Sequence, residues 1–340
     1  MSNDNFWSGL TIIIVSGLLS GSFALPMKFS RSWKWENTWL LYSTLAFLLL
    51  PWLTAWIAVP GLFSSLRVLR PMDAFPALFF GLLWGIAQVG FGLGIARVGM
   101  AVAFAIVIGL CAVFGSFIPL AVLHPKDLWS LRGLMLLVSA FVLALGLSLY
   151  ARAGRLRELD QNPTGNVSEA GKFRKGLWIC IFTGVLGGML NVGFALSGKI
   201  TDSVVAGGAS PIRATYAVWA VMLTAGYLPN LIYTGWLLSK NHTSSTFLCE
   251  LVRESLLAFS MAAFWLGSIL LYGVGATVTG QFGTSIGYAI CVTALILWSS
   301  SLGVLTGEWQ GVKASTMRGM RQGLGIVLVA LFVAGAAGLV

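Results

Sequence analysis

The chain has 340 residues, 57% of them hydrophobic and only 9% charged, with a formal net charge of +10. A soluble domain carries about 25% charged residues, so an ordinary soluble fold is excluded. The surplus of 21 Lys and Arg over 11 Asp and Glu does not point to nucleic acid, because most of these cations sit in short loops between apolar runs, where they signal topology at an anionic leaflet.

A bilayer core of about 30 Å needs about 20 apolar residues per helix. Ten runs meet that need, near residues 7–27, 37–59, 74–96, 98–122, 131–150, 176–198, 212–238, 256–277, 281–303 and 320–340. They are numbered spans 1 to 10 here. Met1–Asn5 lacks a basic region and no small-residue cleavage motif follows, so no cleaved signal peptide is expected. Arg97 alone separates spans 3 and 4, which predicts a tight hairpin, and Val278–Gly280 joins spans 8 and 9 almost as tightly. The longest polar stretch, Ala151–Lys175, contains Asn162-Pro163-Thr164-Gly165-Asn166 and reads as a linker. Cys111, Cys180, Cys249 and Cys291 have no metal-ligand spacing and are expected to be small buried residues.

The two sides of that linker resemble each other. Gly9, Gly17 and Gly21 match Gly176, Gly184 and Gly188 at an offset of 167. Phe23-Ala24-Leu25-x-x-Lys28 matches Phe194-Ala195-Leu196-x-x-Lys199 at an offset of 171, so about one helical turn is inserted between the two matches. Trp84, Phe91, Gly92 and Gly94 match Trp265, Tyr272, Gly273 and Gly275 at an offset of 181. Weak internal similarity in a hydrophobic chain marks a secondary transporter. The expected fold is an all-α membrane protein with ten transmembrane helices. It comprises a first five-helix repeat over 7–150, a cytoplasmic linker over 151–175 and a second five-helix repeat over 176–340. An odd helix number per repeat inverts the second in the membrane. Loops 1–2, 3–4, 5–6, 7–8 and 9–10 hold 15 Lys and Arg, against 6 in the other four loops. The positive-inside rule then puts the first set in the cytoplasm and both termini outside. Trp7, Trp33, Trp35, Trp39, Trp129 and Trp309 sit at run ends, where an aromatic belt is expected.

All eleven acids and both histidines lie near run ends or in loops, so no span centre carries an ionisable acid, base or His. A charged substrate would call for one. Mid-membrane polarity is aromatic and amide instead. Trp84, Gln88 and Phe91 share a face of span 3 at i, i+4, i+7 spacing, and Trp265, Ser268 and Tyr272 do so in span 8. Asn191 lies past the middle of span 6; span 7 carries Trp219, Tyr227, Asn230 and Tyr233 around Pro229, and span 9 carries Tyr288 and Thr293. Amides and hydroxyls bind the hydroxyls of a neutral polyol while aromatic faces cover its C–H surface. Trp84, Gln88, Phe91, Asn191, Trp265, Tyr272 and Tyr288 are the expected substrate-binding residues, with Trp84, Gln88, Asn191 and Trp265 lining one cavity between the halves. The competing reading of Trp84 and Trp265 is packing, and of Gln88 and Asn191 helix–helix hydrogen bonding. Lys28 and Lys199 end equivalent helices; each either snorkels at the interface or pairs with an acid, Glu36 or Asp202, to close a gate. Glu36 either meets the positive end of its helix or titrates. With no nucleophile–base pair and no metal cluster, enzymatic activity is not expected, and no cofactor is implied.

Several stretches are similar to the L-rhamnose–proton symporter family of the drug/metabolite transporter superfamily. They are Met27-Lys28 through Trp33-Lys34-Trp35-Glu36-Asn37-Thr38-Trp39, Phe80-Gly81-x-x-Trp84-Gly85-Ile86, Gly92-Leu93-x-x-x-Arg97-x-Gly99-Met100 and Ala105-Ile106-x-Ile108-Gly109-Leu110. Arg152-Ala153-Gly154-x-Leu156, Lys175-Gly176-Leu177 and Glu308-Trp309 extend the likeness. The resemblance implies uptake of a neutral sugar, L-rhamnose or a relative, by proton symport in a bacterial inner membrane, with Na+ as the other coupling ion considered. Export of an amphipathic metabolite or drug is the alternative within the superfamily. The expected partners are therefore a small neutral sugar, a proton and the lipid bilayer, with no nucleic acid.

Overall fold

The computed structural model describes residues 3–98, 100–161 and 170–338, so residues 162–166 of the predicted linker, Glu169 and Gly99 lie outside the described residues. All regular structure among the described residues is helical. In chain order the helices are α1 (Asn3–Ser22), α2 (Trp35–Ser43), α3 (Leu50–Ala58), α4 (Leu62–Arg67), α5 (Pro71–Val98), α6 (Met100–Leu123) and α7 (Leu131–Gln161). Then follow α8 (Ala170–Gly187), α9 (Met189–Leu196), α10 (Gly198–Ala206), α11 (Pro211–Asn241), α12 (Leu251–Thr279), α13 (Ile286–Leu305) and α14 (Ala314–Ala336). Nine stretches of the described residues are long and apolar enough to cross a membrane. The expected seventh span is not among them. It exists as α11, whose 31 residues are ample in length, but Asn230, Thr215, Thr234 and Tyr227 lower its hydropathy. These four side chains are buried, so protein rather than lipid surrounds them.

Proline accounts for two irregularities. Between α2 and α3, Thr44–Leu49 winds as a π-helix, with the Leu50 N–H reaching back to the Leu45 carbonyl. Pro51 has no N–H to offer the Phe47 carbonyl four residues earlier, so the chain widens by one residue there. In α6, Pro119 likewise leaves the Gly115 carbonyl without its intrahelical donor. Span 6 is broken at Gly188 between α8 and α9. The break immediately precedes the inserted turn, and Asn191 belongs to the inserted stretch between the matched Gly188 and Phe194. Span 9 begins at Ile286 rather than 281, because residues 280–285 form turns led by Gly280 at φ 87°. Span 10 begins at Ala314, and α7 continues eleven residues into the predicted linker.

Two compact units form, each drawing on both halves of the sequence. The first comprises residues 1–86 and 192–283, and the second residues 87–191 and 284–340. In the first unit α1 lies along α12, and α11 packs against α2, α3, α10 and α12. In the second unit α7 lies along α14, and α6 packs against α7, α8 and α13. The core of the second unit includes Ala112, Leu143, Leu147, Val292, Ile296 and Val327. Phe141, Phe182, Ile232 and Phe332 are exposed on helix surfaces, the placement that a lipid solvent favours and water does not.

The sequence repeat reappears as a repeat of contacts. In the first unit Gly9 abuts Thr279 and Gly275 abuts Ile13; in the second, Gly176 abuts Val98 and Gly94 abuts Cys180. Adding 167 to 9 and 13 gives 176 and 180, and subtracting 181 from 279 and 275 gives 98 and 94. The α1–α12 crossing and the α8–α5 crossing are therefore one packing solution used twice, with small residues bringing the backbones close.

Candidate functional site

The π-helical turn aims Phe47 into the first unit. Its fully buried ring stands edge-on to Trp84, with centroids 5.0 Å apart, and to Trp265 at 4.8 Å. Trp84 and Trp265 stack on each other at 5.3 Å and 22°. The aromatic chain continues from Phe47 through Tyr42 to Trp39. Trp39 Nε1 donates to Asn230 Oδ1 at 3.0 Å, while Asn230 Nδ2 donates to the Gly226 carbonyl at 2.9 Å. Asn230 thus satisfies both ends of its amide inside the helix bundle. Nearby in the same unit, Trp219 stacks on Phe194 at 4.3 Å and 4°, and Tyr272 leans on both rings.

In the second unit Asn191 repairs the carbonyl that Pro119 frees. Its Nδ2 donates to the Gly115 carbonyl at 2.7 Å and to the Thr284 carbonyl at 2.6 Å. The side chain is 1% exposed, so the amide ties the broken span 6 to α6 and to the turn before α13. Tyr288 lies across the same glycine: a methyl on Gly115 would strike its ring. The Tyr288 hydroxyl is 3.0 Å from Cys111 Sγ. Beside the two bonded carbonyls, the hydroxyls of Ser116 and Ser285 are buried with no hydrogen-bond partner.

Of the residues expected to bind substrate, the structure brings Trp84 to Trp265 and Asn191 to Tyr288. Tyr272 joins Trp219 and Phe194, and Phe91 packs against the cluster of Val98, Ala103, Val107 and Cys180. Gln88 is half-buried and makes no hydrogen bond among the described residues. Phe47 and Tyr42 escaped sequence reasoning because Phe and Tyr are common in apolar runs. The one available signal was Pro51 in mid-span. Of the tryptophans expected in an aromatic belt, Trp7 and Trp129 are exposed, whereas Trp33, Trp39 and Trp309 are buried. Trp33 and Trp39 each have an indole N–H partner, and Trp309 packs against Arg157 and Tyr150. Cys249 is exposed, unlike the buried Cys180 and Cys291, because it sits in the loop before α12.

Lys28 and Lys199 are both exposed. Among the described residues no ion pair joins Lys199 to Asp202. Glu36 is buried instead, and its Oε1 accepts from Asn241 Nδ2 at 2.9 Å and Thr243 Oγ1 at 2.8 Å. These bonds belong to a longer seam. Asn37 Nδ2 donates to the Thr243 carbonyl, Trp33 Nε1 to the Cys249 carbonyl, and Arg253 Nη2 to the Phe29 carbonyl. The strap over residues 29–37 is thereby stitched to residues 241–254.

Among the described residues no three His, Cys, Asp or Glu gather as a metal site. Neither the Phe47–Trp84–Trp265 cluster nor the pair of Asn191 and Tyr288 includes a charged side chain. Residues 2–339 match the family described as L-rhamnose-proton symport protein (RhaT). The chain is similar to the L-rhamnose-proton symporter of Cronobacter sakazakii, 23% identical over 337 residues and covering 96% of each chain. It is likewise similar to that of Klebsiella pneumoniae strain 342, 22% identical over 336 residues and covering 95% of each. A match running the length of an all-helical chain, with helices fit to cross a bilayer many times, makes this a multi-pass membrane transport protein that belongs to the L-rhamnose–proton symport family.

Proposed function

We propose that the protein is a secondary active transporter of the bacterial inner membrane. It takes up a neutral monosaccharide, L-rhamnose or a close relative, together with a proton, by alternating access. The family match along the chain carries this reading. The absence of acids and bases from the span centres supports it on the side of the substrate. Trp84, Trp265 and Tyr272 offer stacking faces to the C–H surface of a sugar, as does Phe91. Gln88, Asn191 and Tyr288 offer amide and hydroxyl groups to its hydroxyls. Differential affinity of sugar and proton for the two facings of the carrier supplies coupling. Purified protein in liposomes is expected to accumulate labelled L-rhamnose when the lumen is made alkaline, and a Na+ gradient alone is expected not to drive it. Uptake of no sugar in a panel, or outward pumping of amphipathic cations, would overturn the reading.

The repeats are inverted and both termini face outward in this proposal. The duplicated α1–α12 and α8–α5 crossings support a repeat, and the 15-to-6 bias of Lys and Arg supports the orientation. A reporter that fluoresces only in the cytoplasm, fused after Val340, is expected to stay dark. Bright signal there would reverse the topology.

A further inference from the structure

Two serines of the second unit do not take the partners that their positions offer. Ser116 lies within α6 and is 2% exposed. A helical serine often bonds the carbonyl four residues back, as Ser148, Ser260 and Ser301 do. The Ser116 hydroxyl makes no such bond to Ala112 and has no other partner among the described residues. Ser285 is 1% exposed and stands at the N-cap of α13. Serine is favoured there because its oxygen accepts an N–H of the first turn, yet Ser285 makes no capping bond and its hydroxyl is unpartnered too. One amide gathers the residues before them. Asn191 Nδ2 holds the carbonyls of Gly115 and Thr284 at 2.7 and 2.6 Å, and these residues directly precede Ser116 and Ser285.

We infer that Ser116 and Ser285 bind hydroxyls of the transported sugar beside the Asn191 junction; this rests on the neutral-sugar reading above and adds two residues to its site. Buried polar groups of a native fold are paired, and an exception calls for a reason. Two exceptions meet here at a broken span, the kind of place where carriers present polar groups to substrate. The break at Gly188 lies against the same residues: a Cβ on Gly188 would stand 2.7 Å from the Gly115 backbone nitrogen. Each serine hydroxyl both donates and accepts, as does each hydroxyl of a sugar, so a diol satisfies the pair. The helices α6, α9 and α13 carry no Asp, Glu, Lys, Arg or His, so the fitting ligand is uncharged.

The pair also contributes to coupling. Closure without sugar leaves two hydroxyls desolvated and unpaired, which destabilises that state. Closure around sugar pairs both. The loaded carrier therefore closes more favourably, and sugar biases the conformational equilibrium through this difference.

Thermal unfolding of the whole protein in detergent, titrated with L-rhamnose, tests the assignment. Without sugar, Ser116→Ala and Ser285→Ala should unfold at the wild-type temperature or above it, because each removes an unpaired buried hydroxyl. With sugar, each should need about tenfold more rhamnose than the wild type for half of the maximal shift, the loss of one hydrogen bond. Rhamnose analogues with one hydroxyl replaced by hydrogen locate the contact. The analogue lacking the hydroxyl that Ser116 meets should bind the wild type about tenfold more weakly than rhamnose does, whereas Ser116→Ala should not distinguish the two. Ser148→Ala, which removes a satisfied hydroxyl from the exposed side of α7, should titrate like the wild type. A lowered unfolding temperature or loss of folded protein in either Ser116→Ala or Ser285→Ala would show that the hydroxyl has a protein partner, and overturns the proposal. If the wild type responds to rhamnose and both variants respond identically, the serine assignment alone fails. If the wild type responds to no neutral sugar in a panel, the neutral-sugar reading fails and the assignment falls with it.

Discussion

Asn191→Leu is expected to abolish sugar uptake and to lower the unfolding temperature in detergent by several degrees. The amide donates to two carbonyls: that of Gly115, freed by Pro119, and that of Thr284, in the turn before α13. Each buried acceptor left unpaired costs about 1–3 kcal/mol. Leucine shares the branching of asparagine but is larger, so no cavity forms and its methyls crowd the two carbonyls instead. A second substitution separates hydrogen bonding from packing. Pro119→Ala restores an N–H four residues beyond Gly115 and re-forms the missing helical bond. In the Asn191→Leu background it should recover part of the lost stability, about 1 kcal/mol, while leaving Thr284 unpaired. Unchanged stability in Asn191→Leu, or no recovery with Pro119→Ala, would show that the amide faces something other than these carbonyls.

Gly275→Leu is expected to eliminate folded protein, whereas Gly92→Leu should express and unfold like the wild type. A Cβ on Gly275 would stand 2.7 Å from Ile13 Cγ1 and 3.0 Å from the Gly9 carbonyl oxygen, in the α1–α12 crossing. Backbone cannot yield there as a flexible side chain does. Overpacking typically costs about 1–3 kcal/mol, and leucine adds several carbons to a contact with no room for one. Around Gly92 nothing lies within 4 Å. Gly94→Leu tests the repeated contact. It meets Cys180 Sγ at 2.7 Å, a side-chain atom, so the loss of folded yield should be real but smaller. Size-exclusion profiles of the three variants check the order. Equal behaviour of Gly275→Leu and Gly92→Leu would contradict the observed crossing.

The sequence by itself determined the features that local composition controls. Length and apolarity of a run decide whether it suits a bilayer, and nine of the ten expected spans are recovered on that measure. Glycine spacing revealed the duplication, because close helix crossings tolerate little else and so leave a trace at fixed offsets. The inserted turn was legible as the change of offset from 167 to 171, and the break between α8 and α9 comes just before it. The pairing of Trp84 with Trp265 was legible only as a correspondence between repeats. Their stacking at 5.3 Å is a fact of the fold.

Tertiary structure decided everything that depends on which distant residue arrives opposite a given one. Pro119 announces a vacant carbonyl, yet nothing near it in sequence says that Asn191 fills it from 76 positions away. Glu36 and Glu254 look alike as acids at helix starts. One accepts from the side chains of Asn241 and Thr243 at the end of α11; the other accepts the backbone N–H groups of Arg31 and Ser32. Span 7 fails the measure of apolarity and is nonetheless packed against α2, α3, α10 and α12. Hydropathy registers what a side chain would cost in lipid, whereas burial depends on whether protein reaches it first. That depends on long-range packing, which a local pattern does not encode.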